Sequence, residues 1–137
     1  MGQTMKTTAS ETFEGAAEEA NRWLEAVMQE LKTKDRDVAL AVLRAGLHAL
    51  RDRMGAAHAA RLGEQLPMLV RGVFYEGWRP AVASNKNRHV DEFLDRVETY
   101  LPANSNIGAE AVALATFSAF ANCFDIREKS AARNSFG

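Results

Sequence analysis

Apolar residues recur at spacings of three and four through most of the chain, the period of a helix that buries one face. Ala20, Trp23, Leu24, Val27, Met28 and Leu31 make up the first such stripe. Ser10 is placed to cap its start, with Glu11 and Glu14 set favourably for the helix dipole. Residues 1–10 are expected to form a disordered tail. Lys32-Thr33-Lys34 breaks the pattern, and Asp35 is the expected cap of a second helix. There, Ala39, Val42, Leu43, Gly46, Leu47, Leu50 and Met54 fall within one arc of about 100°. Arg44, His48 and Arg51 project to the other side, which predicts a solvated cationic face. Gly55 is the expected stop. A short third helix follows from Ala57 to Gln65, burying Leu62 and Leu66. Pro67 then opens a fourth in its first turn, where the missing N–H costs nothing. Leu69, Val70, Val73, Phe74 and Trp78 cover about half of its circumference, which predicts contact from more than one direction. Gly77 ends it, and the polar stretch 80–89 reads as a linking loop.

The pattern then repeats. Shifted by 70, residues 20–67 align with 90–137 without a gap. Trp23, Leu24, Val27 and Leu31 fall on Phe93, Leu94, Val97 and Leu101. Leu47, Leu50, Met54 and Leu66 fall on Phe117, Phe120, Phe124 and Phe136. Eight positions are identical, but four of these pair Ala with Ala, so the shared apolar face is the stronger signal. The expectation is an all-α single domain: a helical bundle from two tandem three-helix units, residues 11–79 and 90–137. The fourth helix has no counterpart in the second unit. Without that cover, Phe117, Phe120, Phe124 or Phe136 should present apolar surface.

Composition narrows the class without naming a chemistry. A chain of 137 residues, 47% hydrophobic and 26% charged, fits one folded domain rather than a disordered segment. A net charge of −1 draws it to neither nucleic acid nor an anionic membrane. Cys123 is the sole cysteine, so no intrachain disulfide or CxxC site can form. The polar first ten residues lack the apolar core of a secretory signal, and no apolar run is long enough to span a membrane. A cytoplasmic protein is expected.

Three segments carry a family likeness: Ala20-Asn21-Arg22-Trp23-Leu24, Leu47-His48-Ala49-Leu50-Arg51-Asp52-Arg53, and the run Gln65 to Trp78 that reads Gln-Leu-Pro-Met-Leu-Val-Arg-Gly-Val-Phe-Tyr-Glu-Gly-Trp. Together with Asp91-Glu92-Phe93-Leu94-Asp95-Arg96-Val97, they resemble the bacterial domain-of-unknown-function family 2267. The resemblance implies a helical bacterial protein with no assigned activity, and so supplies no catalytic residues.

The residues themselves supply none either. His48, His58 and His89 are the only histidines, and none pairs in an HExxH-type spacing. No Walker, GxGxxG or GxSxG motif occurs. No catalytic, cofactor-binding or metal-binding residue is assigned, and no cofactor is expected. The strongest candidate is a surface on the fourth helix, where Arg71, Phe74, Tyr75 and Trp78 combine aromatic rings with a guanidinium, the make-up of a binding hot spot. The competing reading has Arg71 and Glu76 anchoring the helix to the first unit. Three functions are open. The leading one is a non-enzymatic interaction module that binds itself as a homodimer, or another protein. The second is a small-molecule binder or enzyme with a pocket between the units, lined by Trp78, Tyr75, Arg71 and His89. The least favoured is nucleic-acid binding through Arg44, Arg51 and Arg61.

Overall fold

A computed structural model describes residues 7–80 and 90–124. Among these the chain is all-α, with six helices: α1 (Thr8–Leu31), α2 (Arg36–Arg53), α3 (Ala56–Gln65), α4 (Met68–Tyr75), α5 (Val90–Tyr100) and α6 (Ala109–Cys123). None of these helices is long and apolar enough to cross a membrane.

The helix boundaries follow local chemistry. Asp35 caps α2 as expected, its Oδ1 accepting from the Asp37 and Val38 N–H groups at 3.0 and 3.2 Å. At α1 the cap lies earlier than Ser10. Thr7 Oγ1 accepts from the Ser10 N–H at 3.1 Å, so residues 8–10 are already helical. Lys32 takes the left-handed conformation that ends α1. Gly55 does not terminate α2, which stops at Arg53, but is the residue preceding α3. Pro67 likewise stands just outside α4 rather than in its first turn. That helix ends at Tyr75, two residues before Gly77, which makes the following turn at φ 66°. The expected linking loop, from residue 81 on, and the third helix of the second unit, with Phe136, lie outside the described residues.

α2 lies at the centre, packed by α1, α4, α5 and α6, while α1 also packs on α6. The core is filled by Trp23, Val27, Val42, Leu43, Leu47, Leu66, Phe74, Val97 and Val112, all essentially without solvent contact. Each large side chain so buried contributes about 1.5–3 kcal/mol. Trp23 joins α1 to α6, meeting the Phe120 and Phe124 rings edge-on at 5.0 and 6.3 Å.

Burial along α2 and α6 is related by the same shift of 70. All five buried residues of α6, Ala109, Val112, Ala115, Thr116 and Ala119, lie opposite buried residues of α2: Ala39, Val42, Ala45, Gly46 and Ala49. One such pair is in contact. A Cβ built on Gly46 would overlap the Thr116 side chain, so only glycine lets α2 approach α6 this closely. Five α2 residues are buried without a buried counterpart: Leu43, Leu47, His48, Arg51 and Asp52.

The crossing makes a direct stability prediction. Gly46→Ala should cost about 1–3 kcal/mol through overpacking. Adding Thr116→Gly, which empties the opposing position, should recover most of that loss. Urea denaturation of the two single variants and the double gives the coupling, and additive losses would contradict the close approach.

Candidate functional site

α4 has eight residues, too few to be stable as an isolated helix. Side-chain hydrogen bonds tie it to both α3 and α2. At the start, Arg71 Nη2 donates to the Glu64 and Leu66 carbonyls at 3.1 and 2.9 Å, which ties α4 to the end of α3. The Tyr75 hydroxyl donates to the Ala60 carbonyl at 3.4 Å, its ring lying over Gly63, where no Cβ would fit.

At the other end, α2 supplies the partners for carbonyls that a helix terminus leaves open. His48 Nε2 lies 2.7 Å from the Val73 carbonyl, so that nitrogen carries the proton and donates it. Arg51 Nη1 donates to the Phe74 and Glu76 carbonyls at 3.0 and 2.7 Å. The expectation of a solvated stripe at Arg44, His48 and Arg51 is therefore corrected. Arg44 is partly exposed and pairs with Glu76 at 2.8 Å, but His48 and Arg51 are 6% and 3% exposed. The apolar arc of α2 marked one buried side; α4 covers another.

A buried guanidinium needs a counter-charge and full hydrogen bonding. Arg51 Nε donates to Asp52 Oδ1 at 3.0 Å. The Tyr100 hydroxyl donates to Asp52 Oδ2, and Arg96 of α5 stands 3.8 Å from that same oxygen. Arg51 Nη2 reaches the Tyr100 oxygen at 3.4 Å. Burial raises the Tyr100 pKa above its ordinary value, and the bond to Asp52 and its charge push the same way, so the phenol stays a donor. Burial lowers the His48 pKa, helped by the Arg51 charge and opposed by the Val73 carbonyl and by Glu76 and Asp52. Neutral His48 lies edge-on to the Tyr100 ring at 5.2 Å. The cluster's donors are engaged with main-chain carbonyls and with one another, and what they achieve is the placement of α4.

The four residues assigned to the candidate surface separate. Phe74 is fully buried in the core. Tyr75 and Trp78 are half-buried, their rings 5.3 Å apart. Arg71 is exposed but engaged with α3. The outward face of α4 is formed by Met68, Leu69 and Gly72, with the two large residues 52% and 47% exposed. His89, assigned to a pocket between the units, lies outside the described residues. Asp52 and Tyr100 were not singled out in the sequence. The available signal was the run of small residues on α2, Ala39, Ala41, Ala45, Gly46 and Ala49, which fits a helix approached closely on several sides.

A second feature lies between α5 and α6, with a turn of α2 at its side. This is an open groove of about 590 Å³ whose apolar lining includes Leu50, Val90, Phe93, Leu94, Leu114 and Phe117. Val90, Leu114 and Phe117 are 64%, 61% and 49% exposed. Asp91 and Glu110 stand at its acidic edge, and Arg53 lies over the Phe93 ring, 5.8 Å from its centre. Of the phenylalanines expected at the surface, Phe117 is exposed, Phe120 and Phe124 are half-buried against Trp23, and Phe136 is not described. Cys123 is half-buried, its Sγ 3.4 Å from the Arg22 carbonyl. Among the described residues, no three His, Cys, Asp or Glu side chains gather where they could hold a metal ion.

Fold and site thus define an all-α bundle in which a buried polar clamp fixes the short helix α4 and an open apolar groove lies between α5 and α6. The chain belongs to the DUF2267 family of uncharacterized conserved proteins, which it matches over residues 20–133. No curated protein matches it.

Two predictions test the clamp. Arg51→Met should lower unfolding free energy by about 3 kcal/mol, because Asp52 and the α4 carbonyls lose their partner. Arg44→Met, at the exposed pair with Glu76, should cost less than about 1 kcal/mol in the same urea titration. The second concerns pH. His48 binds a proton less readily folded than unfolded, so the unfolded state takes up the extra proton as pH falls below the ordinary histidine value of 6.5. Stability should therefore decline from about pH 7 towards about pH 5. His48→Gln, which keeps an N–H donor, should flatten that part of a melting-temperature profile.

Proposed function

We propose that this protein is a non-enzymatic helical interaction module that self-associates, with the α5/α6 groove as its docking surface. One observation carries the reading. α6 holds a single charged residue, Glu110, in fifteen, yet only one side of it is buried. A helix that is apolar all round normally lies inside a protein. Here Leu114 and Phe117 instead face solvent beside Val90, and a contiguous apolar patch of this kind marks a surface that another polypeptide covers. The polar cluster supports the same reading, because His48, Arg51 and Tyr100 are engaged in holding the fold. A cytoplasmic setting goes with it, since the single free thiol of Cys123 suits a reducing compartment.

Size exclusion with light scattering, over a range of protein concentrations, tests the proposal. The wild-type chain should show a concentration-dependent dimer. Leu114→Asp should shift it to monomer without lowering the melting temperature, because that side chain already faces water. A wild-type chain that stays monomeric at high micromolar concentration would falsify self-association.

A further inference from the structure

The groove has a counterpart elsewhere in the fold, and that counterpart is filled. α4 lies against α1 and α2, bonded to α2 through Arg44, His48 and Arg51 on a side that also includes Leu47. Shifted by 70, these four positions of α6 are Leu114, Ser118, Ala121 and Phe117. Leu114 and Phe117 line the open groove. The groove is thus the equivalent of the α4 seat, with the cationic partners for a helix end replaced by neutral or apolar side chains. Its occupant is accordingly the apolar flank of a helix rather than a helix terminus.

This chain presents such a flank. Six large hydrophobic residues are exposed among the described ones: Phe13, Met68, Leu69, Val90, Leu114 and Phe117. Five of them lie in two patches, with Val90, Leu114 and Phe117 in the groove and Met68 and Leu69 on the outward face of α4. Gly72 continues that face one turn on. A Cβ there would meet nothing, so neighbouring side chains within the monomer do not require glycine. A mid-helix glycine is less favourable than alanine, and on this open face it leaves room for close approach by a second backbone. Charge fits as well. Arg71 is exposed on α4 and Arg79 just beyond it, while the groove lining carries Asp91 and Glu110 against one cation, Arg53, with Asp95 and Glu98 further along α5.

We infer that the outward face of α4 in one copy seats in the α5/α6 groove of a second copy, Met68, Leu69 and Gly72 against Leu114 and Phe117. This rests on the self-association proposed above and names its two unlike halves.

Unlike halves can be tested by complementation. Leu69→Asp spoils the α4 face and Leu114→Asp spoils the groove; both residues are exposed, so neither change should perturb folding. Each variant alone should raise the dimer dissociation constant by at least about tenfold. An equimolar mixture should associate more tightly than either variant alone, because the intact α4 of one variant meets the intact groove of the other. Light scattering of the separate and mixed samples reads this out. Gly72→Leu should weaken association by a similar factor while raising the melting temperature of the monomer. If Leu69→Asp associates like the wild type while Leu114→Asp does not, groove meets groove, and this inference fails while the interaction module stands. If the mixture remains monomeric, the pairing of unlike faces is likewise wrong. A monomeric wild type removes the reading beneath both.

Discussion

At the crossing of α2 and α6, Gly46 lets the two helix backbones come together with only the Thr116 side chain between them. That approach depends on small residues on both helices, Ala39, Ala45 and Ala49 on one and Ala109, Ala115 and Ala119 on the other, all buried. Close approach in turn leaves room for α1, α4 and α5 to reach α2 as well. A helix contacted from so many directions has little solvated side left. The polar residues that α2 carries must therefore be paired inside the protein, and the hydrogen bonding of His48, Arg51 and Asp52 follows from that constraint.

Arg51 turns the constraint into architecture. Its planar fork of donors reaches two carbonyls of α4, the Asp52 carboxylate and the Tyr100 hydroxyl at once. A lysine at that position offers a single ammonium and could not span these directions. The same guanidinium thus joins α2 to α4 and, through Tyr100, to α5. Through its bonds to the Phe74 and Glu76 carbonyls the buried guanidinium fixes one arrangement of a two-turn helix that could not hold itself.

Positions 70 residues apart on α2 and α6 are used differently. Arg44, His48 and Arg51 hold a helix, whereas Leu114, Ser118 and Ala121, 70 residues on, hold no described one. Substituting neutral and apolar side chains there removes the capacity to bind a helix end but keeps a surface that repels water. The clamp side of α2 is covered by α4, and the corresponding side of α6 lies open in the groove. Three positions on one side of each helix separate a surface that seats α4 from one that leaves a groove open.

Much of this was legible in the sequence. The period of apolar residues determined that the chain is all-α, because a stripe at every third and fourth position has one low-energy solution in water. Asp35 marked the start of α2, since a carboxylate beside open N–H groups acts locally. The shift of 70 pairs each buried residue of α6 with a buried residue of α2, but five buried residues of α2 have no buried counterpart. Arg71 and Glu76 were readable as anchors from their place beside an apolar helix face, though their partners were not. Only the tertiary structure decided the fate of His48 and Arg51. Their own helix gave them a polar side, and burial came from α4, a neighbour whose direction of approach periodicity does not encode. For the same reason Phe74 went to the core while Met68 and Leu69 went to the surface. Local sequence sets which side of a helix is apolar; which sides are covered is a property of how many helices reach it.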